Sequence, residues 1–206
     1  MHALDRRTLM LGAGAALALP GCASERGPPP APATGRAGRL IAAARAQIGV
    51  TTRYDPAYTK LAFPGGDVPR GRGTCTDVVI RAYRDAFELD LQALVNAEMS
   101  GAFAAYPRNW GLEAPDPSID HRRVPNLRTF LSRQGAAYPV PSGARGWRPG
   151  DIFTSIVGSS GAHIGIVSDR RGRDGWMILH NIGAGTQEED ALRAWPLTGR
   201  YRWRLD

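Results

Sequence analysis

Apolar residues recur with two different periods along this chain. Between residues 36 and 134 they follow the three-to-four-residue spacing of helices, whereas after residue 150 they form the short runs and alternations of strands. Helices that precede an antiparallel sheet predict an α+β fold. A length of 206 residues fits one domain.

The helical pattern appears in four segments, and glycine follows the first, third and fourth of them as a stop signal. The predicted helices cover residues 36–48, 75–87 and 125–134, and a further helix starts at residue 91 and ends near Gly101 or near Tyr106 and Pro107.

The strand pattern follows a Pro-Gly turn at residues 149–150. Residues 169–175 are polar and contain glycine, so the two strands that flank them should form a hairpin. The predicted strands cover residues 151–157, 162–168, 176–181 and 200–205.

Two long segments, residues 51–73 and 109–123, show no periodicity and are punctuated by Pro, Gly and Asp. Loops of this length inside a compact domain usually carry function. We therefore expect substrate contacts from both.

The first residues of the chain predict export. Arg6 and Arg7 form a twin-arginine start, and the apolar stretch 11–19 is shorter than the about 20 residues that a membrane-spanning helix needs. Residues 19–22 resemble a bacterial lipobox that ends in Cys22, which would carry the lipid.

This interpretation divides the chain into three parts. Residues 1–21 are a signal peptide, 22–36 a Pro/Ala/Gly-rich tether and 37–206 the folded domain. The protein is then expected on the periplasmic side of the bacterial cell envelope, with the membrane as a partner through the lipid on Cys22.

The formal net charge of +7 raises the question of nucleic acid binding. The basic residues are scattered arginines, Lys60 is the single lysine, and no nucleic-acid-binding motif accompanies them. We therefore expect no nucleic acid partner, and also no cofactor. A monomer is expected.

Cys75 is the first candidate for chemistry. Only two cysteines occur, so a lipid on Cys22 leaves Cys75 unpaired in an oxidising compartment. Thr74 and Asp77 have the spacing of a capping box, which places Cys75 at a helix start. Backbone N–H groups and the helix dipole there favour the thiolate. The alternative is a small buried hydrophobic residue.

Two histidines complete the chemistry. In a hairpin centred on residues 171–172, His163 lies directly opposite His180 on one face, and Asn181 points to the other. Cys75 and the two histidines then supply a nucleophile, a base and an orienting group, and the backbone N–H of Cys75 can bind the oxyanion. Two alternatives stay open: histidines that merely fill the core, and a zinc site formed by the same three residues. We expect no metal.

These residues resemble the NlpC-type papain-like superfamily of cell-wall cysteine peptidases. The resemblance rests on Cys75 at a helix start, on 150–152 (Gly-Asp-Ile), on 163–166 (His-Ile-Gly-Ile) and on 178–180 (Ile-Leu-His). It implies a papain-like fold in which the nucleophile helix packs on the sheet. It also implies Cys75 as nucleophile, His163 as base and His180 as orienting residue.

The chain departs from the superfamily's common Cys-Ser-Gly, because Thr76 and Asp77 follow the cysteine.

Five longer motifs carry a closer likeness: 54–58 (YDPAY), 64–69 (PGGDVP), 75–81 (CTDVVIR), 120–127 (DHRRVPNL) and 163–169 (HIGIVSD). With these motifs the chain resembles a bacterial envelope family, domain of unknown function 1287, over about residues 38 to 204.

We therefore predict a cysteine peptidase or amidase that cleaves amide bonds, with peptidoglycan stem peptides as the leading substrate. Cys75 Sγ should lie within roughly 3–4 Å of a His163 nitrogen. A wall-binding module and a lipid-directed thiol acyltransferase are the alternatives. The residues expected to bind substrate are Tyr54, Tyr58, Asp77, Trp110, His121, Arg122 and Arg123.

Overall fold

The computed structural model describes residues 31–173 and 175–205. Cys22, the signal peptide and most of the tether lie outside these residues. Within them, no helix is long and apolar enough to cross a membrane. The described chain has an α+β fold with four α-helices and a six-stranded antiparallel sheet.

The helices come first in the chain and are joined by 3₁₀ turns at Phe103–Ala105 and Asp120–Arg122. A further 3₁₀ turn, Ala144–Gly146, precedes the main strands. The α-helices are α1 (Gly35–Arg45), α2 (Cys75–Phe87), α3 (Leu91–Ala102) and α4 (Val124–Arg133).

Two short strands, β1 (Arg53–Tyr54) and β2 (Arg72–Gly73), pair in parallel just before α2. The main sheet has the order β3-β8-β4-β5-β6-β7. Its strands are β3 (Ala137–Tyr138), β4 (Ile152–Val157), β5 (Gly161–Arg171), β6 (Trp176–Asn181), β7 (Thr186–Glu189) and β8 (Leu197–Tyr201).

The sheet separates two apolar clusters, because successive side chains of a strand point to opposite faces. On one face Ile164, Ile166 and Leu179 join the large core formed with the helices. On the other face Val167 and Ile178 pack into a smaller cluster with Trp147, Phe153, Trp176 and Leu192.

The helix predictions are confirmed, since all four lie within a few residues of their expected bounds and α2 matches its own. The apolar face of α2 is buried, since Val78, Val79, Ala82 and Tyr83 are each at most 1% exposed, but burial is wider than the amphipathic pattern and includes every residue from 75 to 83.

The strand predictions were correct for β6 and nearly so for β4, but the bounds of two strands were wrong, and the short strands β1, β2, β3 and β7 were not predicted. β5 continues to Arg171, so the expected loop 169–175 is shorter than predicted. The terminal strand is Leu197–Tyr201, which overlaps the expected residues 200–205 only at its end. β7 was not predicted, because its four residues (Thr-Gln-Glu-Glu) contain no apolar position.

The predicted hairpin register was also wrong. Ile166 pairs with Leu179, so His180 falls opposite Gly165 rather than opposite His163. Arg171 pairs with Trp176, so the turn lies two residues further along the chain than predicted, and the irregularity between Val167 and Arg171 leaves a net shift of two residues at the histidines. A shift of two preserves the face, and His163 and His180 still share one side of the sheet.

Candidate active site

Cys75 is the first residue of α2 and lies at the base of a cleft of about 400 Å³. The side chain is free and only 4% exposed. The cleft walls come from the loop before α2, from the loop before α4 and from the start of β5. Its lining residues are Tyr54, Pro56, Tyr58, Thr74, Cys75, Trp110, Ile119, Arg122, Arg123, Val124, Pro125 and Ala162.

The start of α2 is held by a buried charge pair. The predicted capping box is present, and Asp77 Oδ2 accepts the Thr74 backbone N–H at 2.6 Å. Arg122 donates from Nε to Asp77 Oδ1 and from Nη2 to Oδ2, both at 2.9 Å. Both side chains are 3% exposed. These two hydrogen bonds tie the loop before α4 to the helix that carries Cys75.

A second anchor joins the helix start to the sheet. Asn181 Nδ2 donates to the Gly73 carbonyl at 3.0 Å, which links the end of β6 to the residues just before Cys75. Asn181 therefore points away from the histidine face, as predicted. His180 and Asn181 are adjacent on β6 and point to opposite faces of the sheet. The hydrogen bond from Asn181 therefore fixes the start of α2 relative to the strand that carries His180.

The thiol of Cys75 is neutral at rest. The backbone N–H groups of Ile164, Thr76 and Cys75 itself favour the thiolate, as expected for a helix start. Burial outweighs them and raises the pKa of Cys75 to about 11. The expectation of a stabilised thiolate was therefore wrong, since the sequence pattern does not show how deeply the sulfur is buried.

His163 and His180 are hydrogen-bonded to each other. The distance from His163 Nε2 to His180 Nδ1 is 2.9 Å, and the rings meet edge to face. Trp195 lies against both rings, with centroid distances of 5.9 and 6.1 Å, and Phe153 packs on His163. Burial lowers the pKa of both histidines, that of His163 to about 3. Both rings are therefore neutral near pH 7.

Glu189 extends this pair and was missed from the sequence. Its Oε2 lies 2.6 Å from His180 Nε2, and its side chain is 47% exposed whereas that of His180 is fully buried. His163 on β5, His180 on β6 and Glu189 on β7 form one hydrogen-bonded series, which we call the histidine relay. The register of β6 and β7 places Glu189 there, and a polar strand without alternation offers no signal for that register.

The direct contact between Cys75 and His163 stays a prediction. Ile164, whose backbone N–H favours the thiolate, is the residue directly after His163, so the thiol faces this part of β5. Within the described residues, no hydrogen bond joins the Cys75 sulfur to either imidazole.

The family known as domain of unknown function (DUF1287) matches residues 41–203. The chain belongs to this family. It is also 52% identical over 161 residues to the uncharacterized protein YijF of Escherichia coli K12, and the match covers 78% of each chain.

In this DUF1287 chain, five of the seven residues expected to bind substrate line the cleft. Burial, together with the neighbouring Cys75 and Asp77, raises the pKa of Tyr54 to about 12, so its phenol stays a donor. These five residues are Tyr54, Tyr58, Trp110, Arg122 and Arg123.

The aromatic wall of the cleft is held by polar contacts. The Arg123 guanidinium lies 3.9 Å from the Trp110 ring centroid and donates to Asp120 at 2.9 Å. The hydroxyl of Tyr58 donates to Asp116 at 3.2 Å. Arg123 therefore positions Trp110 at the cleft rim.

The other two expected residues, Asp77 and His121, lie behind the cleft. Asp77 is occupied by Arg122 and Thr74. His121 is 2% exposed, and burial lowers its pKa to about 4. Their contacts indicate a structural role.

Arg122 has one unused donor. Its Nη1 is buried without a hydrogen-bond partner, although the residue lines the cleft. In the described part of the chain, no group of three or more His, Cys, Asp or Glu side chains is arranged to hold a metal ion.

Proposed function

We propose that this protein is a thiol hydrolase with a papain-like, NlpC-type fold, and that it cleaves amide bonds in peptides of the bacterial cell envelope. One observation carries the proposal. Cys75 opens α2 and lines the cleft, and its thiol meets β5 at Ile164, next to His163, whose buried ring is hydrogen-bonded to His180 on β6. A nucleophile, a base and an orienting group are the parts that such a reaction needs.

The reaction begins with transfer of the thiol proton to His163 as Cys75 Sγ attacks the amide carbonyl carbon. Because the thiol is neutral at rest, proton transfer accompanies the attack rather than preceding it. The carbonyl oxygen of the tetrahedral intermediate takes the negative charge. We assign the backbone N–H of Cys75, at the start of α2, to bind that oxygen, and one such donor is worth roughly 3 kcal/mol of barrier.

The intermediate then collapses. The C–N bond breaks, the leaving amine takes the proton from His163, and a thioester to Cys75 remains. His163 next accepts a proton from water, which attacks the thioester and releases the carboxylic acid and the thiol. His180 holds the His163 ring in place at both stages through the 2.9 Å hydrogen bond.

The cleft favours a substrate that carries a carboxylate. Tyr54, Tyr58 and Trp110 offer flat apolar surface. Arg122 and Arg123 also line the cleft; each is paired with an aspartate, and Arg122 keeps Nη1 without a hydrogen-bond partner for a substrate carboxylate. Peptidoglycan stem peptides combine amide bonds with free carboxylates. Export and a lipid on Cys22, which the sequence predicts, would place the enzyme where such peptides occur.

The test compares the purified protein with its Cys75→Ala variant on purified peptidoglycan fragments. Wild type is expected to release new amine and carboxyl termini, detected by mass spectrometry, and Cys75→Ala to release none. The variant loses a single sulfur atom, so its thermal midpoint serves as a control for folding. Cleavage that survives in Cys75→Ala would rule out the thiol mechanism. No cleavage by either protein would contradict hydrolysis and favour wall binding or acyl transfer.

A further inference from the structure

The histidine relay ends in a group that can only accept hydrogen bonds. Glu189 Oε2 lies 2.6 Å from His180 Nε2, a short distance typical of a charge-assisted hydrogen bond. An ionised carboxylate has no proton to donate, so His180 Nε2 must carry the hydrogen. The side chain of Glu189 is 47% exposed, so the carboxylate also contacts water.

The rest of the relay follows from this first hydrogen. A neutral His180 with a proton on Nε2 has a bare Nδ1, which can only accept. His163 Nε2, 2.9 Å away, must therefore donate, and its own proton sits on Nε2. A neutral His163 is then left with a bare Nδ1. Of the four ring nitrogens, this one holds a lone pair that no member of the relay uses.

We infer that Glu189 is a positioning residue that sets the tautomers of His180 and His163 and so leaves His163 Nδ1 as the proton acceptor for Cys75. The last step of this inference rests on the proposed function, whereas the tautomers do not. The proton moves from Cys75 Sγ to His163 Nδ1 as the sulfur attacks the carbonyl carbon. The S–H bond breaks, the N–H and C–S bonds form, and the π electrons of the carbonyl move onto its oxygen.

The surroundings of the two rings support fixed neutral tautomers. Burial lowers the pKa of both histidines, and their other ring neighbours, Phe153 and Trp195, are uncharged. Glu189 is the charged member of the relay, and its negative charge raises the pKa of His180 against the effect of burial. The same charge would stabilise the imidazolium that forms on His163 when the thiol proton arrives.

The neighbouring residue shows that position on β7 matters. Glu188 points to the opposite face and accepts hydrogen bonds from Arg45 at 2.7 Å and from Arg170 at 2.9 Å. Its charge is matched by arginines on the helix side of the sheet. Glu189 instead reaches the histidine face, because successive residues of a strand alternate.

Nuclear magnetic resonance of the imidazole nitrogens tests the inference in the resting protein. Wild type labelled with ¹⁵N-histidine should show both rings as neutral Nε2–H tautomers at pH 7. The variants His163→Gln and His180→Gln assign the signals. Glu189→Ala removes the acceptor and should produce a mixture of tautomers, whereas Glu189→Lys places a donor there and should reverse both. Glu88→Gln, an exposed charge change at the far end of α2, serves as the control.

Wild-type tautomers in both Glu189→Ala and Glu189→Lys would overturn the inference. The alkylation rate of Cys75 by iodoacetamide supplies the second readout. At pH 7 it should fall at least about tenfold in Glu189→Lys, since the reversed tautomer removes the proton acceptor. In Glu189→Ala it should fall only in proportion to the fraction of the reversed tautomer. Shifted tautomers with an unchanged alkylation rate would overturn the link to Cys75.

The two proposals can fail separately. If tautomers shift but wild type cleaves no peptidoglycan fragment, the role of Glu189 stands and hydrolysis fails. If Cys75 cleaves substrate while the Glu189 variants keep wild-type tautomers, hydrolysis stands and the role of Glu189 fails.

Discussion

Two polar networks that are buried at their centres lie near Cys75, and they differ in whether a proton can move within them. The first consists of Thr74, Asp77 and Arg122, and we call it the Asp77 network. It contains fixed charges, because Arg122 always carries its proton and Asp77 accepts three hydrogen bonds of 2.9 Å or less. The histidine relay contains groups that can gain or lose a proton and are joined by single hydrogen bonds.

The difference separates architecture from chemistry. A bidentate pair of fixed charges sets the position of the helix start and cannot take part in proton transfer. A series of single hydrogen bonds between imidazoles fixes less geometry but can take up the thiol proton. We therefore expect changes in the Asp77 network to appear mainly in stability, and changes in the histidine relay mainly in reactivity.

The largest expected effect is on the rate of hydrolysis in His163→Gln. General base catalysis contributes about 10²–10⁴-fold, so the rate of amide cleavage should fall by that factor. The glutamine can still contact His180, and the thermal midpoint should stay within a few degrees of wild type. A rate equal to wild type on an accepted substrate would show that His163 is not the base.

The next effect is on stability, in Asp77→Asn. Breaking a buried ion pair leaves Arg122 without its partner and should cost about 3–5 kcal/mol of unfolding free energy, measured by denaturant titration. The matched control is Asp55→Asn, because Asp55 pairs with Arg72 at 2.5 Å in a more exposed setting and should lose much less stability than Asp77→Asn. Equal losses in the two variants would contradict the distinction between the networks.

The third prediction concerns pH and a buried histidine outside both networks. His121 binds a proton near pH 6.5 when unfolded but only near pH 4 when folded. The unfolded state therefore holds more protons between these values, so stability is complete above pH 6.5 and falls as the pH drops towards 4. The contribution is roughly 3 kcal/mol.

Denaturant titrations between pH 4 and 7 test this in His121→Asn. The variant should lose less stability than wild type on acidification, whatever its stability at pH 7. An identical pH dependence in the two proteins would show that His121 does not titrate with folding.

The smallest expected effect is on substrate binding in Arg123→Gln. Loss of one partly exposed cation beside Trp110 should raise KM a few-fold for a substrate with a carboxylate, with little change in kcat. Arg133→Gln is the control, because Arg133 pairs with Glu98 in an exposed position away from the cleft residues. An unchanged KM on every accepted substrate would remove Arg123 from the binding surface.

The sequence predicts the parts of this fold that depend on local signals. The bounds of α2 follow from the capping box at Thr74 and Asp77 and from an amphipathic pattern that ends at Phe87. The unpaired state of Cys75 follows from counting cysteines. These features depend on residues close together in the chain.

The other features of the fold and of the site depend on contacts between residues that are far apart in the chain. The register of β5 and β6 shifts at an irregularity before Arg171, and no residue pattern in the hairpin indicates it. The pairing of Asp77 with Arg122 joins residues 45 positions apart. The raised pKa of Cys75 comes from burial by several elements, and Glu189 contacts His180 only because β7 pairs with β6.

The central claim is that His163 activates Cys75, and the rate of Cys75 alkylation as a function of pH tests it most directly. Iodoacetamide is reacted with wild type and with His163→Gln from pH 6 to pH 11, and the modified protein is counted by mass spectrometry. At pH 7 wild type should react at least about tenfold faster, because His163 accepts the thiol proton. Near pH 11 the two rates should converge, because the thiolate then forms without a base. Equal rates at every pH would contradict the account.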